Sequence, residues 1–393
     1  MTSYAKPNIG LLMAVTAVAS FGAHVFSPAM PAAARELGVT PGAMQLNFTI
    51  YAAGLAVGHL FVGPWSDRFG RRPVMLASLV LFVVASFGAA FADNMGSLLA
   101  ARLFQALGAS ATPVVGRAMA KDGAADTTDA ARQIAVLGLA VSGSPVLAPL
   151  IGGLIAEFTG WRGIFQFMAW FALSMLAICY WKLPETRRPA PGGAVERGMI
   201  EGIGVLLRTR QFRGYMLGCA VAVGAVYTLL ATLPFIYAEV LGLSSGQIGA
   251  CLLVLALGFT LGVFLSLRLV GRVGPRSMVV AGSLVGLTAG PMLLIVHLTG
   301  SLNVVTVTAA SALLLTGNGM MMPNAMAVSM AGEPRLAGTA SGLFAAALQF
   351  IGGICAAVTS MIYDHSLLPT ALFLVVLCGM GQFFLQYDTR PST

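Results

Sequence analysis

A chain of 393 residues that is 58% hydrophobic and only 9% charged is not an ordinary soluble domain, in which about a quarter of residues carry charge. Its net charge of +8 sits in short stretches between long apolar runs, which is membrane topology and excludes a nucleic-acid partner. The five cysteines all lie inside apolar runs without metal-ligand spacing, so neither a metal site nor a disulfide framework is expected.

Apolar runs fall at about 9 to 32, 44 to 65, 73 to 92, 97 to 119, 132 to 156, 162 to 183, 214 to 238, 246 to 269, 277 to 298, 302 to 330, 336 to 362 and 366 to 387. A transmembrane helix needs about 20 apolar residues, so each run reads as one span and the chain as an all-α membrane protein of twelve transmembrane helices. The first run follows a single lysine, Lys6, as a signal peptide would, but is long enough to span and stay. With both termini in the cytoplasm, every Lys and Arg lies at the inner face except Arg35 and Arg162 outside and Arg102 within the fourth span. Basic residues in short loops stay on the cytoplasmic side, so this orientation is expected.

Between spans two and three lies Gly63-Pro64-Trp65-Ser66-Asp67-Arg68-Phe69-Gly70-Arg71-Arg72, a tight charged turn expected at the cytoplasmic face. The longest polar interval, 184 to 213, divides six helices from six: an N-terminal bundle over 1–184, a cytoplasmic linker over 185–213 and a C-terminal bundle over 214–393. Arg68-Phe69-Gly70-Arg71-Arg72 is echoed by Arg272-Val273-Gly274-Pro275-Arg276, again between the second and third helix of its half. Two halves of like topology predict pseudo-symmetric parallel repeats, with a central site alternately exposed.

Arg102 falls about 10 Å below the outer boundary at 1.5 Å per residue. A charge at that depth is costly and is functional by default, facing a wet cavity or a partner. His24 on the first span lies at a comparable depth, and histidine is the side chain best suited to change charge near neutral pH. His24 is therefore expected to respond to protons or to bind substrate as a neutral imidazole, while Arg102 tunes it or holds an anionic or carbonyl-bearing substrate. Every carboxylate lies at or near a membrane face. Polar or aromatic groups that would be costly against lipid complete the cavity candidates: Asn47, Tyr51, Gln105, Tyr227, Asn318, Asn324 and Gln349. His59 reads as a helix-packing residue, and His297 and His365 lie near the outer boundary.

Taken together, the motifs resemble a family. Gly63 to Arg72 is similar to the G-x-x-x-D-R-x-G-R-R loop of the major facilitator superfamily. Leu99-Ala100-Ala101-Arg102-Leu103-Phe104-Gln105-Ala106-Leu107-Gly108 resembles its fourth-helix arginine motif, and Gly143-Ser144-Pro145-Val146-Leu147-Ala148-Pro149-Leu150-Ile151-Gly152-Gly153 its antiporter motif on helix five. Pro28-Ala29-Met30-Pro31, Pro323-Asn324-Ala325 and Ala337-Gly338-Thr339-Ala340-Ser341-Gly342 look like the Bcr/CflA subgroup of drug-resistance exporters. That subgroup usually has an aspartate where this chain has His24.

The resemblance implies the major facilitator fold and an inner latch: Asp67 against the start of helix eleven near Leu336, and Arg71 or Arg72 paired with Asp122, with Gly63, Arg68 and Gly70 shaping the turn. In helix five, Pro145 and Pro149 each remove a backbone donor and tend to kink the span, while Gly143, Gly152 and Gly153 admit a close neighbour. The expected function is proton-coupled export of a small amphipathic drug or metabolite, neutral or anionic, across a bacterial inner membrane by a monomer. The proton is the coupling ion and no cofactor is required. An uncoupled facilitator or importer of a small polar solute remains open, as, remotely, does a transporter-like receptor. An enzyme would need a catalytic group at membrane depth, and no HExxH, G-x-S-x-G or paired carboxylates lie there, nor does a nucleotide-binding loop occur, so an enzyme is not expected.

Overall fold

The computed structural model describes residues 7–124, 126–187, 203–330 and 337–387, and every regular element among them is helical. Helix starts follow from local chemistry. Asn8 Oδ1 accepts from the amides of Gly10 (2.9 Å) and Leu11 (3.2 Å), and Asn94 Oδ1 from Ser97 N (2.9 Å). Thr40 Oγ1 accepts from Ala43 N (3.2 Å), with Pro41 as the first helical residue. Each satisfies a first-turn donor that has no intrahelical acceptor.

Breaks fall where proline or glycine demands them. The first run is a helix Ile9–His24, a 3₁₀ turn Ser27–Ala29 and a helix Met30–Glu36, because Pro28 and Pro31 bring no amide hydrogen. The ninth divides into Pro275–Leu287 and Ala289–Leu298, just ahead of Pro291, which withholds the amide that would bond the Leu287 carbonyl.

Among the described residues, eleven helical stretches are long and apolar enough to cross a membrane. One of them, Val146–Lys182, belongs to the helical run Thr127–Lys182, divided at Gly160 (φ 73°, ψ 175°). The expected fifth and sixth spans thus meet at a single residue, which is why twelve apolar runs give eleven continuous stretches. Next to this break, Glu36 accepts from Trp161 Nε1 (2.7 Å) and pairs with Arg162, whose Nη2 donates to the Ala92 carbonyl (3.0 Å).

The chain forms two compact units: residues 1–191 with 244–250, and residues 192–243 with 251–393. The core of the first draws Leu12, Val62, Leu79, Val115, Leu137 and Cys179 from six successive spans. The core of the second joins Phe212, Val279, Met321, Phe344 and Leu385. In lipid, apolar burial alone drives helices together weakly, so close backbone approach matters. A Cβ on Gly108 would lie 2.7 Å from the Phe82 amide nitrogen, and one on Gly282 would lie 2.6 Å from the Gly317 carbonyl. The echoed turns also match in conformation: Gly70 (φ 104°) and Gly274 (φ 82°) are both left-handed, each directly before a helix.

Candidate functional site

The first unit holds a buried cation. Arg102, on the helix Met95–Gly123, is only 2% exposed. Its Nη1 donates to Gln105 Oε1 (2.6 Å), one turn along the same helix, and to the Gly22 carbonyl (3.0 Å). Gly22 lies in the last turn of Ile9–His24, where carbonyls have no intrahelical donor and the helix dipole is negative. The proline-imposed end of the first helix therefore supplies the partner for the arginine. Gln105 Nε2 donates to Ser86 Oγ (2.7 Å), and that hydroxyl donates to the Phe82 carbonyl (2.7 Å). The guanidinium carbon sits 4.1 Å from the centre of the Tyr51 ring and 5.8 Å from that of Phe165. Tyr51 is held by its hydroxyl donating to the Ala19 carbonyl (3.1 Å).

Among the described residues, no carboxylate pairs with Arg102; its partners are a carbonyl, an amide oxygen and two aromatic faces. Such a site stabilises the guanidinium without neutralising it. His24, two residues past Gly22, lies within electrostatic reach of Arg102, and its Nδ1 is 2.9 Å from the Ser20 carbonyl. That carbonyl can only accept, so Nδ1 carries a hydrogen, and in the neutral imidazole Nε2 is the nitrogen with the lone pair.

A Cβ on Gly22 would run into the Tyr51 hydroxyl and approach Met168 Cε to 3.2 Å. Gly22→Ala is therefore expected to destabilise the first unit by about 1–3 kcal/mol through overpacking. The check is the melting temperature of the detergent-solubilised protein; an unchanged value would show that Tyr51 is not locked over the arginine.

The sequence-derived cavity residues do not all converge. Tyr51, Arg102 and Gln105 do, with His24 nearby but bonded to the Ser20 carbonyl of its own helix, and Asn47 donates within its own helix to the Met44 carbonyl (3.2 Å). In the second unit, Tyr227 donates to Gln349 Oε1 (2.5 Å), forming one pair. Asn324 donates to Ser266 Oγ (2.6 Å) and the Met320 carbonyl (2.7 Å), and Asn318 to the Leu314 carbonyl (3.0 Å). Both asparagines are buried in helix packing. Ser86 and the Gly22 carbonyl were not anticipated from sequence. A serine on the third span was a weak signal for the first, and no side chain marks the second.

At the 63–72 turn, Arg71 Nη1 meets Asp67 Oδ1 (2.6 Å) and Ser66 Oγ (2.6 Å), and its Nε meets Asp122 Oδ2 (3.2 Å). Arg71, not Arg72, is thus the partner of Asp122, which lies in the last turn of its helix. Arg72 instead donates to the Tyr180 carbonyl (2.5 Å), and Arg68 lies over the Phe69 ring (5.3 Å). A Cβ on Gly63 would meet nothing within 4 Å. Leu336, the expected partner region of Asp67, lies outside the described residues.

In the antiporter stretch the backbone stays helical through Pro145 and Pro149; the one departure in this run is at Gly160. Gly143 and Pro145 lie within the helix, Gly152 packs against the Val25 carbonyl, and a Cβ on Gly153 would lie 3.0 Å from the Cα of Gly249.

Comparison with known proteins agrees with this architecture. The family model described as Major Facilitator Superfamily matches residues 12–357. Multidrug resistance protein D of Escherichia coli is 30% identical over 380 residues, covering 94% of each chain. The Bicyclomycin resistance protein homolog of Haemophilus influenzae is 26% identical, over 93% of this chain and 92% of that protein. Among solved structures, a D-xylose-proton symporter superposes with a TM-score of 0.79 at 16% identity, over 98% of both chains. A bacterial homolog of the human lysosomal transporter Spinster gives 0.78 at 16%, over 97% of this chain and 96% of that one. At that identity the structures speak for the fold alone, and the sequence matches carry the membership: this chain is a multi-pass bacterial inner-membrane transporter of the Major Facilitator Superfamily, related to its Bcr/CflA-type members.

Proposed function

We propose that this transporter exports a small amphipathic compound, neutral or anionic, in exchange for protons by alternating access. The observation that carries the reading is Arg102, a buried guanidinium whose partners among the described residues are neutral oxygens and π faces. A lipophilic cation brought to roughly 7 Å would be repelled by about 2 kcal/mol at an effective dielectric constant near 20. A carbonyl, nitro or carboxylate group would instead be attracted. The relatives named for resistance to bicyclomycin and, in Pseudomonas aeruginosa, to chloramphenicol support an exported antibiotic of that uncharged, oxygen-rich kind. His24 supplies the proton-responsive group, with Nε2 as the nitrogen that takes up the proton while Nδ1 stays bonded to the Ser20 carbonyl.

Reconstitution into liposomes with an imposed pH gradient tests this directly. Chloramphenicol and bicyclomycin are expected to move against their gradients when the proton gradient is present, and tetraphenylphosphonium is not. Counterflow that proceeds equally with and without the gradient would establish an uncoupled facilitator instead. His24→Asn is expected to reduce gradient-driven transport to the rate seen without a gradient while counterflow persists. Full gradient-driven transport by this variant would remove His24 from the mechanism.

A further inference from the structure

The turn 63–72 joins two helix ends, and each end leaves backbone groups without intrahelical partners. The helix Arg71–Ala90 begins after Gly70, which has no side chain to cap it. Its first two amides are instead taken by one carboxylate from the foot of the sixth span. Glu185 Oε1 accepts from Arg71 N (3.0 Å) and Oε2 from Arg72 N (3.1 Å). Glu185 Oε1 also accepts from Arg187 N (2.8 Å), which folds the segment 185–187 back upon the turn. The neighbouring helix Pro41–Phe69 is served in the opposite sense: Arg187 Nη1 donates to the Arg68 carbonyl (2.9 Å), in its last turn. An anion thus sits on the positive end of one helix dipole and a cation on the negative end of the other.

Two further features belong to the same arrangement. A Cβ on Gly70 would lie 2.7 Å from Glu185 Oε2, and the φ of 104° is one that L side chains rarely adopt, so the carboxylate and the glycine require each other. In the echoed turn of the second unit the first helical residue is Pro275, which has no amide hydrogen to satisfy. Arg71 occupies that position here and brings a donor that must be met.

We propose that Glu185 and Arg187 form a clasp over both helix ends of the 63–72 turn and hold Arg71 in register with Asp67 and Asp122. Glu185 acts through the backbone of the turn and touches no substrate, so it is a positioning residue of the gate. The inference rests on the transport reading for its consequence, and on the geometry alone for its existence.

The test combines amide hydrogen exchange with transport in the full-length protein. In Glu185→Ala, the amides of Arg71 and Arg72 are expected to exchange about tenfold faster, since no other acceptor is in place. The maximal transport rate is expected to fall several-fold with KM for the drug unchanged and the melting temperature lowered only slightly, as for loss of a helix cap. Glu185→Gln, which keeps one accepting oxygen, is expected to fall between. Combined with Arg71→Gln, Glu185→Ala is expected to add no further loss of rate, because both act on the same register. Unchanged exchange in Glu185→Ala, faster exchange with wild-type transport, or losses that simply add would each overturn the clasp. A wrong transport reading would look different: wild-type protein without transport, its exchange at 71 and 72 still set by Glu185.

Discussion

Arg102→Gln is expected to reduce transport at least about 100-fold, the equivalent of about 2.7 kcal/mol at tenfold per 1.36 kcal/mol. The substitution removes two charge-assisted hydrogen bonds, to Gly22 O and Gln105 Oε1, and the stacking over Tyr51. Hydrogen bonds to charged groups contribute about 1.5–3 kcal/mol each, and a desolvated cation–π contact about 2 kcal/mol or more, so even partial transmission reaches that loss. Arg102→Lys keeps the charge but not the planar fork that bonds the carbonyl and the amide while lying on the tyrosine. An intermediate loss, roughly tenfold, is expected for it. Initial rates in proteoliposomes at equal protein density measure both. Wild-type rates for Arg102→Gln would mean that the buried cation serves packing only, and the selectivity argued from it would fall.

Much of this site was legible before any coordinates because it depends on spacing along one helix. Arg102 and Gln105 stand three residues apart, which puts them on one face, and the structure bonds them directly. The acid partner of the charged turn, Asp122, was legible only through the family resemblance, which implies a pairing of Arg71 or Arg72 with an acid after the fourth helix; the structure bonds it to Arg71. The break at Gly160 coincides with the polar gap between two apolar runs.

The parts that were not legible depend on backbone groups. The Gly22 carbonyl becomes available only because its helix ends at His24, and a freed carbonyl leaves no trace in residue type. Glu185 looks, in sequence, like a lone acid leading into a basic linker; what it satisfies are amides of residues 71 and 72, set by folding alone. Asn318 and Asn324 read in sequence only as polar groups costly against lipid, and the sequence did not show that each side-chain amide nitrogen donates to a carbonyl one turn back in its own helix, a partner within reach of any buried asparagine.

The second large effect is expected at the charged turn. Arg71 and Asp122 have side chains only 14% and 20% exposed, so their pairing is screened far less than a surface ion pair. Removing one partner weakens a partly desolvated pairing; the cost is about 3–5 kcal/mol for a fully buried pair and less here, because both side chains keep some exposure and Arg71 keeps Asp67. Arg71 also carries the contact to Asp67, whose side chain is 57% exposed and adds little by itself. Arg71→Gln and Asp122→Asn are therefore each expected to slow transport at least about tenfold, equivalent to about 1.4 kcal/mol, with membrane insertion preserved. The double variant is expected to be little worse than either single one, since each single substitution already removes the Arg71–Asp122 contact. Such a cycle should give a coupling of about 1–2 kcal/mol between residues in direct contact. Transport rates of the four proteins at matched expression decide the matter. Losses that multiply would show two independent contributions, and the ion pair would then have no part in setting the rate.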